Sequence, residues 1–145
     1  MKRREVFGAL SAVAAAGLAA TALAADEHAH HHGGAAKYAA LMSAAADCVA
    51  KGNACLAHCL VLLGDGDKAL ADCAKSVNQM LPLCGALQTL AAQGSQYVVG
   101  LAKVAQEVCI DCEKACRKHA DKHVECKACM EACAECAKQC NNIVG

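Results

Sequence analysis

Beyond residue 34 the chain repeats one pattern, in which small or apolar residues recur every third or fourth position with charged and amide side chains between them. Such spacing lines the apolar set along one face of an α-helix. Four stretches of this kind are predicted. The first runs from about Ala36 to Leu63 and stops at Gly64-Asp65-Gly66-Asp67, which supplies a turn and then an aspartate N-cap. The second, about Lys68 to Ala92, has the inward seam Cys73, Val77, Met80, Cys84, Leu87 and Ala91, and Pro82 is expected to bend it by removing a helix hydrogen bond. Gln93-Gly94-Ser95 is the next break. The third helix, about Gln96 to Lys118, turns Val98, Ala102, Ala105, Cys109, Cys112 and Cys116 inward, and after a short connection near Asp121 the fourth covers about Lys122 to Asn142. Short connections make successive helices antiparallel neighbours. The predicted fold for residues 35–145 is therefore an all-α, antiparallel up-down-up-down four-helix bundle with a cysteine-lined core.

Composition strengthens this reading. After residue 24 the chain has no Trp or Phe, only Tyr38 and Tyr97 as aromatics, and Pro82 as its one proline. A core limited to Ala, Leu, Val and Cys suits closely approaching helices and argues against a sheet, which draws on β-branched and aromatic residues. The same part carries eleven Lys and Arg against thirteen Asp and Glu. That near balance leaves no electrostatic footprint for nucleic acid or an anionic membrane.

The first residues have a different character. Lys2-Arg3-Arg4 precedes an Ala-rich apolar run to about Leu23, and Ala22-Leu23-Ala24 is a small-x-small cleavage signal. Together they describe a twin-arginine export peptide over residues 1–24, removed to leave a chain that starts near Ala25. The run is short and weakly apolar beside the roughly 20 residues that a span requires, so no membrane span is expected in the mature form. Export places the protein in the periplasm or an intracytoplasmic-membrane lumen. Residues 25–34 are read as a polar tail whose His28, His30, His31 and His32 either capture an exchangeable ion such as Cu(II) or only solvate the terminus.

The cysteines carry the chemistry. Thirteen occur: Cys48, Cys55 and Cys59 at i, i+7 and i+11 of the first helix, Cys73 and Cys84 on the second, Cys109, Cys112 and Cys116 on the third, and Cys126, Cys129, Cys133, Cys136 and Cys140 on the fourth. Isolated buried cysteines act as small hydrophobes, but nearly all thirteen falling on inward stripes exceeds any packing need. A disulfide scaffold fits an exported protein, yet the number is odd. Moreover, thiols on one helical stripe have Cβ atoms about 5–6 Å apart, where a disulfide wants about 3.5–4.5 Å. Cys109-x-x-Cys112, Cys126-x-x-Cys129 and Cys133-x-x-Cys136 match dithiol redox motifs but lie within helices, without the βαβ setting such motifs use. Metal binding is the reading that uses the whole stripe.

Charge selects the metal. Soft thiolates take Cu(I), Zn(II) or iron–sulfur clusters, and they bind as the deprotonated form. No Lys or Arg stands on the inward stripes to balance them. Zinc in a four-thiolate site keeps two uncompensated negative charges, a heavy cost in a dry core. Iron–sulfur clusters want four converging cysteines, commonly at loop spacings absent here. A monovalent ion bridged by two or three sulfurs approaches one metal per thiolate and cancels the charge, which points to multiple Cu(I) ions.

The twin-arginine signal, the Ala-rich four-helix chain and the Cys-x2-Cys-x3-Cys stripes of Cys109 to Cys116 and Cys126 to Cys140 resemble the exported copper storage proteins of methane-oxidising bacteria. The resemblance spans the whole chain. It implies Cu(I) filling the core of a preformed bundle, every cysteine a ligand, a few other ligands at the mouth, a homotetramer, and copper supply to particulate methane monooxygenase.

The predicted topology gathers Cys55, Cys59, Cys73, Cys112, Cys116, Cys126 and Cys129 with His58, His119 and His123 at one end, which is expected to be the mouth. His58, next to Cys59, is expected to bind or pass copper. Met80 on the second seam and Met130 beside the fourth offer thioethers that suit Cu(I) and equally suit core filling. His119 and His123 are auxiliary candidates that also fit solvated loop positions. No nucleophile and base pair or phosphate loop is legible, so a non-enzymatic role is expected. Two rivals use the same residues: a copper chaperone or detoxifying buffer, and a disulfide-stapled structural protein. A chaperone needs only one exposed site, and titratable thiols separate the store from the staple.

Overall fold

The computed structural model describes residues 36–145. The expected export peptide and the His28–His32 tail lie outside them. Four helices follow in order: α1, Ala39–Gly64; α2, Ala71–Ala92; α3, Val98–Arg117; and α4, Val124–Val144, with a 3-10 turn at Lys68–Leu70 leading into α2. Each helix packs along its two neighbours, α1 on α2, α2 on α3, α3 on α4 and α4 back on α1. This is a square ring around one core.

Contacts within the core give the direction of each pair. Cys55 of α1 meets Cys126 of α4, and seven residues earlier Cys48 meets Cys133, seven residues later. Cys73 of α2 meets Cys116 of α3, while Cys84 meets Cys109. Numbers rise on one helix as they fall on the other, so neighbours run antiparallel, as the short connections predict.

Turn chemistry ends the helices where the sequence indicated. After α1, Gly66 adopts φ +94°, a left-handed conformation open to a residue without a Cβ. The Asp67 amide then donates to the Leu62 carbonyl at 2.9 Å and the Gly66 amide to Leu63 at 3.1 Å, closing the helix in a Schellman motif. Gly94, at φ +61°, repeats the device after α2, with the Ser95 amide donating to Leu90. Asp67 caps as expected, its carboxylate accepting from the Ala69 amide, but it opens the 3-10 turn, so α2 starts three residues later than the periodicity suggests. Pro82 lies on the exposed face of α2, and the helix runs on through it.

The buried faces match the seams. Cys73, Val77, Met80, Cys84, Leu87 and Ala91 of α2, and Val98, Ala102, Ala105, Cys109, Cys112 and Cys116 of α3, are all buried. All thirteen cysteines have no exposed surface, and no polar or charged residue is buried among the described residues. On α1 the stripe from Cys48 to Cys55 is completed by Gly52, also buried, which apolar periodicity passes over. A Cβ at that position would stand 2.7 Å from the Met80 Cε and 2.9 Å from a Leu81 methyl, so the glycine sets how closely α2 lies against α1. By length and composition α1 alone among the described helices would cross a bilayer, but its cysteine stripe faces three other helices.

Because the apolar end is closed by buried Leu41, Leu87, Ala91 and Val98, truncation there should be costly. Leu87→Ala is expected to lower stability by about 2–5 kcal/mol, read as a shift in the urea midpoint of the metal-free reduced protein. Unchanged melting would show that this end does not hold the bundle.

Candidate metal centre

The helical repeat sets the geometry of the thiols. Residues three and four apart stack on one face, so each helix delivers a row of sulfurs and the antiparallel ring interleaves four rows into a single column. Starting near the α1–α2 and α3–α4 connections, Cys55, Cys59, Cys73 and Cys126 have sulfurs within 4.8 Å of one another. Cys73 reaches Cys116 at 3.4 Å, Cys116 reaches Cys112 at 4.0 Å, and Cys112 reaches Cys129 at 4.0 Å. Cys112, Cys129 and Cys133 form the next group. Cys133 then meets Cys48 at 3.6 Å, and Cys84 lies 3.9 Å from Cys48, 3.4 Å from Cys109 and 4.0 Å from Cys136. Cys140 prolongs the α4 row one turn past Cys136. The thirteen sequence candidates thus form one chain of sulfurs down the core.

All thirteen are free thiols. Their separations exceed the about 2.05 Å of a disulfide bond yet are short enough for one small ion to touch two sulfurs. No nitrogen or oxygen ligand enters the column, and buried soft donors without hard ones fit a soft metal ion and exclude a calcium or magnesium site.

Protons in this column are shared. Cys112 is drawn well below the ordinary thiol value by hydrogen bonds from Cys116 and Cys129, and Cys116 is correspondingly pushed up. Cys136 is lowered in the same way by Cys109 and Cys140. Cys59 and Cys126, at the mouth end, are pushed up first by loss of solvent and then by neighbouring thiols. Such a network keeps most sulfurs protonated and neutral while a few act as acceptors.

Around the mouth the residues are different. His58, on the turn of α1 that holds Cys59, places Nε2 3.0 Å from His123 Nδ1, and its own Nδ1 lies 3.6 Å from Glu125. His123 occupies the N-cap position of α4 with extended backbone and makes no capping bond. Its ring is turned to His58 instead. The His119 ring lies tilted to that of His123, with 6.5 Å between ring centroids. His58 is 25% exposed and Glu125 35%, so the cluster faces solvent on one side. The sequence anticipated the three histidines; Glu125 was missed, and its place one residue before Cys126 is the only hint. Of the methionines, Met80 is fully buried with Sδ 3.3 Å from Cys48 Sγ, whereas Met130 is half-buried against the core.

Comparison with known proteins agrees with this arrangement. A family model described as copper storage protein matches residues 34–145. Apo copper storage protein 3 from Bacillus subtilis is 25% identical, with TM-score 0.65 over 74% of this chain and 99% of that one. A Cu(I)-bound copper storage protein is similar at 24% identity and TM-score 0.66, over 74% and 98%. A cytosolic copper storage protein from Streptomyces lividans, in a form with five coppers, shares the fold at 22% identity and TM-score 0.67, over 77% and 94%. No curated protein is significantly similar to the sequence.

The Streptomyces protein corrects one expectation. It is cytosolic, which conflicts with export by the twin-arginine route to the periplasm or an intracytoplasmic-membrane lumen. The export location is therefore withdrawn.

Proton sharing gives a pH test. In the metal-free protein, thiolate absorbance should rise over a wide range on both sides of the ordinary value of 9.0, since Cys112 and Cys136 ionise below it and Cys59, Cys116 and Cys126 above it. In denaturant the same titration should narrow to one step. A single step near 9 in the folded protein would show that the thiols do not interact.

Proposed function

The chain belongs to the copper storage protein family, and from that premise we propose that its core stores multiple Cu(I) ions, on the order of one for each cysteine. The observation that carries the reading is the column of buried sulfurs, in steps of 3.4–4.0 Å from Cys73 to Cys129 and again from Cys133 to Cys136, the two runs meeting where Cys112, Cys129 and Cys133 lie within 4.8 Å of one another. A chaperone needs one exposed site, and these thiols are neither few nor exposed.

The chemistry follows from charge. Metal-free, the core is a set of neutral thiols that pack as small apolar groups, so the bundle folds before loading. Each arriving Cu(I) displaces thiol protons and is held by two or three sulfurs from facing helices. One positive charge replaces about one proton, and the filled column stays near neutrality in a core without any Lys or Arg. All thirteen cysteines serve as ligands, from Cys59 and Cys126 at the mouth to Cys140. His58 receives the ion first, its ring held by Glu125 as carboxylates orient metal-binding histidines, with His123 opposite and His119 behind. Met130 remains core filling.

The role is non-enzymatic: reversible holding of copper for a copper-dependent enzyme, of which particulate methane monooxygenase is the one implied by the sequence resemblance. That resemblance also implies a homotetramer. Leu60 and Val61, 57% and 64% exposed on α1, supply apolar surface for a second copy. Light scattering of the purified chain reads the assembly directly.

Anaerobic titration of the reduced protein with Cu(I) against a chromogenic chelator tests the storage role. Tight uptake of about a dozen ions, with helicity already present by circular dichroism, is expected. Uptake of one or two would make the protein a transfer or redox scaffold.

His58→Ala should slow loading from a copper complex several-fold while leaving the final stoichiometry within about one ion. Equal loading rates in stopped-flow measurements would return His58 to the solvated surface.

A further inference from the structure

Among the described residues, Met80 is the one fully buried side chain that combines a soft donor atom with the absence of a proton. In the core of α2 its Sδ lies 3.3 Å from Cys48 Sγ, closer than any two cysteine sulfurs in the column. The thioether has no hydrogen to give, so Cys48 is the donor and a Met80 lone pair faces the sulfur chain. That lone pair is the one a metal ion would use. Around it the column is continuous, with Cys133 at 3.6 Å and Cys84 at 3.9 Å from the same Cys48 sulfur.

Room for this arrangement comes from α1. Gly52 is buried one turn from Cys48, and any Cβ there would reach to 2.7 Å from the Met80 methyl. A methionine serving only to fill space would go with an alanine at 52 and a shorter partner at 80, which also favours the helix. Here the pair spends helix propensity and leaves the methyl beside Gly52, with the sulfur toward Cys48.

We propose that Met80 is a thioether ligand to a Cu(I) ion shared with Cys48 in the middle of the column, and that Gly52 positions it. The site rests on the storage reading for its cargo. It differs from the all-thiolate positions in charge: Cu(I) with one thiolate and one thioether is neutral by itself once one proton has left, whereas an ion between two thiolates reaches that balance only by sharing them with neighbouring ions. Such an ion loads without waiting for neighbouring sites to balance it. Its retention also falls less steeply as pH is lowered, because one of its ligands never takes up a proton.

The test is selenium-edge X-ray absorption on selenomethionine-labelled protein loaded anaerobically with Cu(I), beside wild-type stoichiometry. A copper neighbour in the selenium shell is expected, lost in Met80→Leu, which keeps the volume and the thirteen thiols. Met80→Leu should also hold about one copper fewer at a fixed chelator concentration. Gly52→Ala, which keeps all thirteen thiols and the methionine in the chain, should weaken the selenium–copper signal by displacing the Met80 side chain. If Met80→Leu does not fold, the wild-type and Gly52→Ala spectra decide. A loaded protein with no selenium–copper neighbour overturns the Met80 site and leaves storage standing. Should the wild type take up a single ion, storage fails, and the selenium shell then shows whether Met80 holds that ion.

Discussion

The separation of sulfur atoms across the core governs this molecule. At 3.4–4.0 Å neighbouring thiols are too distant to join, near enough to hydrogen-bond, and spaced so that one ion can bridge them. Two ordinary features of helices set that distance. Steps of three and four residues stack the thiols along each helix, and small core residues let the helices approach. Gly52 lies between Cys48 and Cys55 on the buried face of α1, Ala132 and Ala137 stand among the cysteines of α4, and Ala102 and Ala105 continue the α3 row toward the apolar end. Larger residues at those places would part the rows and leave isolated sulfurs instead of a column.

A core of this kind must satisfy two opposed demands. Folding wants buried groups that are neutral, because an unpaired charge in a dry interior is costly. Ligation wants thiolates. Cysteine meets both, since its proton can be exchanged for a metal ion without altering side-chain shape. The shared hydrogen bonds between Cys112, Cys116 and Cys129 hold the metal-free state in a poised condition. A few sulfurs accept from their neighbours, and most keep their protons until an ion arrives.

How much of this was legible in the sequence depends on whether a feature is local. Period and turn residues are local, so the four helices, their antiparallel order, and the inward placement of every cysteine and of Met80 could be read directly. Helix starts were less secure: Asp67 caps a 3-10 turn before α2, and His123 takes an N-cap position without capping. Both are decided by what packs beneath. Contacts across helices were out of reach, because they depend on axial offset as well as face. Periodicity places Met80 inward but cannot bring it to Cys48, and it assigns Gly52 no role since glycine carries no apolar signal. Glu125 was hidden for a related reason, as its partner His58 is 67 positions earlier. The expected cellular location rested on the N-terminal segment alone, and the fold itself says nothing about compartment. It was the cytosolic setting of a similar bundle that removed it.

The two ends of the bundle are chemically unlike, and this gives the column a direction. At one end Leu41, Leu87, Ala91 and Val98 close the core with hydrocarbon, a barrier to any ion that must shed its hydration. At the other, His58, His123 and Glu125 offer polar ligands within a turn of Cys59 and Cys126. On the proposed storage role, an ion arriving there would exchange water for imidazole and then imidazole for thiolate, and so would never be without a donor. Beyond that point steps of at most 4.0 Å link one sulfur to the next from Cys73 to Cys116 to Cys112 to Cys129, and again from Cys133 through Cys48 to Cys84. On the same reading, movement down the core would be a sequence of ligand exchanges rather than diffusion through a cavity. The helices need not open, and the same ladder that makes the core deep enough to store ions also lets them be reached from one end.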